Sequence, residues 1–417
     1  MSKPPVLPTF PAAKDCDPEQ LGWMQGSPPA ADKIIRFQDG SGYHFPQLRW
    51  SFAHYRQMVP TVTVSKGLTP STPLPQAHRA LPAIHYTPMG GSGVCTWADM
   101  MEATYTDALL VMHHGKVIFE HFGGVMTPLH EHIAMSVSKS FMGLLAASLV
   151  AEGVVDDTQR VDHYVPELAG SGFGDATVRQ VMDMTTGIDY TENYADPQAE
   201  IWNHMRAGGV MPCPPGYSGP THFYDYLKTV RKLGEHGEKF TYRTANTDVL
   251  GWIVRRASGQ NTERLLSERV WQAMGAELDA YYTVDPIGTA FAGGGLNTGL
   301  RDLARFGELV RNHGRIGDRQ VLPAAAVADT FAGADPARFA ANGPATLQGW
   351  SYRNMWWVSH NAHGAIMARG VHGQNIYIDP KAGMVIARYA SHPMAANIAN
   401  DPHTLPAYHA MALALLD

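Results

Sequence analysis

The sequence predicts an α/β (α+β) protein, with one antiparallel sheet flanked by helices and an all-helical lobe inserted into it. Two β-rich runs lie early, between Ala108 and Phe122, and four more lie late, between Gln348 and Ala390. Between them, from Ser136 to about His313, apolar residues recur mostly at helical spacing. Strands at both ends with helices between them point to one sheet built from both ends of the chain. The expected division is an extended arm over 1–75, a discontinuous sheet domain over 76–153 and 286–417, and a helical lobe over 154–285.

The arm is rich in Pro, Gly and Ser, with short aromatic pieces such as Tyr43-His44-Phe45-Pro46, so little regular structure is expected there. Ala108 to Phe122 reads as a hairpin turning at His113-His114-Gly115-Lys116. That histidine pair has no third ligand at metal-type spacing and reads as turn residues. The stretch Ala134 to Gly153 carries Phe141, Leu144, Leu145 and Leu149 on one stripe and ends at a glycine, which predicts a buried helix starting near Ser136.

Thr177 caps a short helix through Met184, and Tyr190 to Gly219 is a long aromatic-rich loop of the kind that lines sites. Helices follow over Val249 to Ala257, Thr262 to Met274 and Leu300 to His313, stopped in the first and last cases by Gly259 and Gly314. Strands are expected at Gln348 to His360, Ala365 to Val371, Asn375 to Ile378 and Met384 to Ala390. A helix over His403 to Leu416 closes the chain.

At 417 residues, 45% hydrophobic and 17% charged, the chain can bury a large core. A net charge of -6 argues against nucleic acid as a partner. Three cysteines, Cys16, Cys95 and Cys213, leave an odd thiol and show no metal spacing, so a reducing compartment is expected. The first twenty residues carry prolines where a secretory leader needs an apolar run, and no stretch reaches membrane-span length. A soluble, cytoplasmic protein without membrane partners follows as the expectation.

The chemistry concentrates at Ser136-Val137-Ser138-Lys139. Residues three apart share a helix face, so the Lys139 amine can reach the Ser136 hydroxyl and, once desolvated, accept its proton. The N–H groups and positive dipole of the helix start favour an oxyanion at the same place. A cation opening an apolar helix is unfavourable there, which sets this pattern apart from a chance Ser-x-x-Lys.

Ser136-Val137-Ser138-Lys139, Tyr242 nine residues before Gly251, and Gly370-Val371-His372-Gly373-Gln374 resemble, in order, the three signatures of the serine β-lactamase and penicillin-recognising superfamily. Within it the chain is most similar to the 6-aminohexanoate-dimer hydrolases and their class C β-lactamase-like carboxylesterase relatives. The resemblance covers about residues 100 to 417. It departs from true β-lactamases where Tyr242-Arg243-Thr244 replaces Tyr-x-Asn, leaving Asn246 as the nearest asparagine, and where Val371-His372-Gly373 replaces Lys-Thr-Gly. Loss of that lysine, which helps seat a β-lactam carboxylate, argues against penicillin-type substrates.

The resemblance implies a β-lactamase-like fold and a hydrolase that cleaves a linear amide of 6-aminohexanoate type, or a small carboxylic ester, through an acyl-enzyme, without metal or cofactor. Ser136 would be the nucleophile, Lys139 its base and Tyr242 a proton relay whose phenolate a nearby ammonium favours. The oxyanion would be held by the N–H groups of Ser136 and Val371, although a backbone donor leaves Gly373 as an alternative. Tyr194 would close on substrate or simply anchor its loop, His372 would touch substrate or satisfy a strand end, Trp357 would wall the pocket or join the core, and Asn246 would contact substrate. Carboxylesterase and D-amino acid amidase or peptidase activities remain alternatives, as does a non-hydrolytic sensor on the same fold. A homodimer stays open.

Overall fold

A computed structural model describes residues 9–78, 81 and 83–416. Seven antiparallel strands form its main sheet in the spatial order Ser351–Arg353, Trp356–Val358, Ile366–Arg369, Asn375–Asp379, Met384–Ala390, Thr106–His113 and Lys116–Phe122. The early hairpin therefore joins the late strands, through pairs such as Ile386 with Val111 and Ala387 with Leu110. Both ends of the chain do build one sheet. Apart from the half-buried edge strand Lys116–Phe122, its strands are buried almost throughout because the Ser136 helix, Val137–Ala151, and the helices Leu300–Arg311 and Asp401–Leu416 cover its faces.

The expected helices are present with shifted ends. The helix predicted from Val249 already begins at Ala245 and stops at Ser258, with Gly259 left-handed at φ 69° behind it. Thr177 caps its helix by accepting from the Gln180 N–H, and Gln180 reaches back to the Thr177 N–H. The stretch Thr262 to Met274 departs from a single α-helix: it is regular over Thr262–Leu266 and then widens to a π-turn over Ser267–Trp271. The long late run Gln348 to His360 is two strands, reversed at Asn354 and Met355, whose φ values of 50° and 63° make the turn.

The arm carries more structure than its composition suggests. Among its described residues are a helical turn at Leu48–Ser51 and a strand, Thr61–Val64, paired with Ala280–Thr283. That pairing creates a second sheet of four strands, completed by Leu296–Gly299 and Glu131–Ile133. Ala280–Thr283 thus lies in a sheet although the sequence places it at the end of the helical segment. A four-residue strand buried on both faces has no alternation to reveal it.

Candidate active site

Ser136 sits at the N-cap of its helix, directly after Met135, whose φ of 47° bends the chain sharply out of the strand Glu131–Ile133. Such a backbone is costly for a residue with a side chain and recurs at reactive sites. Lys139 points back along the helix, and its Nζ donates to Ser136 Oγ at 2.8 Å and also to the Gly293 carbonyl. The side chain is 1% exposed. Burial pushes the ammonium down to about pKa 8, against the opposing pull of the negative charges on Glu192 and Asp248. A neutral amine next to the serine hydroxyl is therefore accessible near neutral pH.

Tyr242 lies just before the helix Ala245–Ser258, and its ring centroid is 5.2 Å from Lys139 Nζ. The structure reverses one expectation for it. Burial, with the nearby Glu192 charge, pushes the phenol well above its ordinary range, and the neighbouring Ser136 hydroxyl offsets this only in part. Tyr242 is a phenol, able to give a proton, and the phenolate expected from a neighbouring ammonium is not favoured. Trp357 stacks on it at 5.5 Å and 25°, backed by Tyr352 and Phe240. Trp357 thus belongs to both readings, 7% exposed in the core and forming the aromatic wall beside Tyr242.

The late strand Ile366–Arg369 ends against the serine. A Cβ on Gly370 would lie 2.7 Å from the Ala134 carbonyl and 3.0 Å from the Ser136 nitrogen, so only glycine permits this approach. Val371 follows it in the chain. Among the described residues, neither the Ser136 nor the Val371 N–H has a protein acceptor. His372 is left-handed at φ 62°, its Nδ1 lies 2.6 Å from the His392 carbonyl and its ring packs edge-on to Phe52. Burial pushes it down to about pKa 4. The structure shows His372 holding this turn, as in the strand-end alternative.

Asn246 is corrected as well. It is fully buried, accepts from Thr186 Oγ1 at 2.7 Å and donates to the Arg243 carbonyl at 3.2 Å, so it ties the helix start to a neighbouring loop and has no free group for substrate. Tyr194 is half-buried and its hydroxyl donates to Glu192 at 2.7 Å.

Sequence reasoning overlooked Glu192, Asp248 and His204. Glu192 accepts from the Thr244 N–H at 2.6 Å and its hydroxyl at 2.7 Å, a negative charge placed at a helix N-terminus where the dipole favours it. Its two-residue separation from Tyr194 was the available signal. His204 shares the buried face of Glu200–Ala207 with Ile201 and Ala207, a spacing that marks an inward histidine. Among the described residues no group of three or more His, Cys, Asp or Glu is arranged to hold a metal, and no helix is long and apolar enough to cross a membrane.

A family model described as Beta-lactamase matches residues 97–402. The chain belongs to the beta-lactamase family. A curated member, the 6-aminohexanoate-dimer hydrolase of Paenarthrobacter ureafaciens, is 36% identical over 349 residues, 84% of this chain and 86% of that protein. A solved structure from Bacillus anthracis, provisionally assigned as a 6-aminohexanoate-dimer hydrolase, superposes with a TM-score of 0.82 at 30% identity, covering 93% of this chain and 97% of the other. The D-stereospecific amidohydrolase of a Streptomyces species shares the beta-lactamase fold at a TM-score of 0.53 and 15% identity, over 70% and 91% of the two chains.

Proposed function

We propose that the protein is a serine hydrolase that opens a short linear amide of 6-aminohexanoate type, with small carboxylic esters as a second activity. The observation that carries this is the 2.8 Å contact between Ser136 Oγ and a buried Lys139 whose proton affinity has fallen towards neutrality. The 6-aminohexanoate-dimer relatives support the substrate class.

In this reading neutral Lys139 takes the Ser136 proton as Oγ bonds to the scissile carbonyl carbon, and the oxyanion gathers between the Ser136 and Val371 N–H groups. The tetrahedral species collapses by breaking the carbon–nitrogen bond, the leaving nitrogen receiving a proton from the Tyr242 phenol, which Lys139 replenishes. Water then attacks the acyl-enzyme by the same groups in reverse order. Tyr194 covers the substrate from the loop that Glu192 anchors, and Trp357 walls the acyl side. No metal or cofactor is required by these steps. Three free thiols support a reducing, cytoplasmic setting.

The test is a fluorophosphonate probe together with a panel of p-nitrophenyl acetate, p-nitrophenyl butyrate, the linear 6-aminohexanoate dimer, D-alanine amide and nitrocefin, each with the wild type and Ser136→Ala. The reading predicts labelling of Ser136 and cleavage of the linear amide, both abolished in Ser136→Ala. Cleavage of esters alone would move the protein to the carboxylesterases. An unlabelled, inactive wild type would overturn the hydrolase and leave a sensor.

A further inference from the structure

Behind Lys139 lies a buried polar chain that the proposed chemistry does not use. The Gly293 carbonyl accepts from Lys139 Nζ, and the N–H of the same residue donates to Asp248 Oδ1 at 3.1 Å. Asp248 is 5% exposed, and its other oxygen lies 3.2 Å from Nε2 of His204, which is fully buried. His204 Nδ1 is 3.0 Å from the Tyr190 hydroxyl, and its ring stacks on Tyr226 at 4.7 Å and 9°. The contact is built tightly, since a Cβ on Gly293 would lie 2.6 Å from Thr244 Cγ2 and 3.1 Å from Asp248 Oδ2.

The hydrogen positions follow from the partners. Burial keeps the Tyr190 phenol protonated, so it donates to Nδ1. Nε2 of His204 then faces Asp248 at ion-pair distance, outside hydrogen-bond geometry.

We propose that Asp248 and His204 form a positioning couple for Lys139, acting through the Gly293 residue that both the aspartate and the lysine grip. Asp248 fixes the Gly293 backbone and thereby the carbonyl on which the lysine rests, while His204 holds the carboxylate in line. The couple also presents a negative charge to the lysine and so sets how readily its proton leaves. Without that charge, Glu192 alone would oppose the effect of burial on Lys139.

The groups that bear on this from the surrounding elements are Glu192 and Tyr242 on the substrate side, Tyr190 and Tyr226 around His204, and Tyr282 from the strand Ala280–Thr283. Of these, Glu192 is the acid with the larger effect on Lys139, which makes it the comparison for any change at Asp248. The inference borrows from the proposed function only the role of Lys139 as base.

The experiment titrates Lys139 directly, by NMR of protein labelled with [ε-13C]lysine, its signal assigned by loss in Lys139→Met. Turnover is not needed. In the wild type the signal should titrate at about pH 8. In Asp248→Asn the midpoint should fall by about half a unit or more, because an acid that favoured the ammonium is gone. His204→Leu, which strips one partner from the carboxylate and leaves its charge less compensated, should raise the midpoint, and His204→Gln, which keeps a donor, should restore the wild-type value. Near-UV circular dichroism checks that each variant is folded.

If Asp248→Asn fails to fold, the two His204 variants decide alone. An unmoved midpoint in folded Asp248→Asn, or in folded His204→Leu, overturns the proposal. A midpoint that shifts as expected in a protein that fluorophosphonate never labels would uphold the couple and overturn the hydrolase.

Discussion

Asp107 and Asp248 are close structural counterparts with opposite surroundings. Each is a carboxylate about 95% buried, each faces a buried histidine, His132 at 3.5 Å and His204 at 3.2 Å, and each histidine is stacked on a tyrosine, Tyr389 at 4.6 Å and Tyr226 at 4.7 Å. The difference is Arg49, whose guanidinium lies 3.2 Å from Asp107 Oδ1 and also ties down Cys16 and the Ala13 carbonyl of the arm. Among the described residues Asp248 has no such cation within ion-pair distance. At Asp107, burial pushes the carboxyl up, and the nearby His132 ring and the Arg49 charge more than reverse it. One aspartate is neutralised inside the scaffold, and the other leaves its charge to act on Lys139.

Breaking each cation should therefore hurt on a different axis. Lys139→Met should lower kcat/KM by about 10²–10⁴-fold, the usual worth of a general base, with a smaller change in Tm than Arg49→Met produces. Comparable losses of Tm in the two variants would erase the distinction. Arg49→Met leaves a buried carboxylate with only His132 beside it and should cost about 3–5 kcal/mol in urea unfolding, with the pH midpoint of activity in place. Because the folded Asp107 binds its proton more weakly than the unfolded one, its contribution is present at neutral pH and lost as pH falls below about 4. A wild type whose stability is flat through that range would sink this account.

Gly370→Ala sharpens the comparison from the oxyanion side, since its new methyl group would push the strand end off the Ser136 nitrogen. A loss of about 10²-fold in kcat is expected, with KM less changed. An active Gly370→Ala would mean that the strand end yields. Over the pH range, kcat/KM of the wild type should rise through about 8 as Lys139 becomes neutral, and the raised Tyr242 phenol delays any alkaline fall. A plateau already reached below pH 6 would remove Lys139 as the titrating base. The smallest effect belongs to Tyr194→Phe, which deletes one 2.7 Å bond to Glu192 and should cost about 1 kcal/mol, read as a few-fold change in kcat/KM.

The sheet, its hairpin and the Ser136 helix were legible because their periodicities are local and strong. Lys139 was legible for the same reason, as a charge in an apolar run. The second sheet was not, because Thr61–Val64 and Ala280–Thr283 are four-residue strands brought together from opposite ends of a long segment. Asn246 was read as a substrate contact, and His372 as either a substrate contact or a strand-end residue, from their places in family-like motifs, yet side-chain direction is set by partners distant in sequence, Thr186 for one and His392 and Phe52 for the other. Asp248 escaped because an acid at a helix start looks like an ordinary cap until the fold shows what lies behind it, and Glu192 because it sits in a loop far in sequence from the helix it caps.

The strand Thr61–Val64 also bears on how this protein can be trimmed. It is the outer strand of the four-stranded sheet and covers Ala280–Thr283, whose Tyr281 and Tyr282 are almost wholly buried. A recombinant chain begun after residue 75 would lose Phe52 from beside His372 and expose the Ala280–Thr283 edge with unpaired backbone groups, a template for chain-to-chain stacking. Shortening the arm to aid crystallisation or expression would therefore favour aggregation.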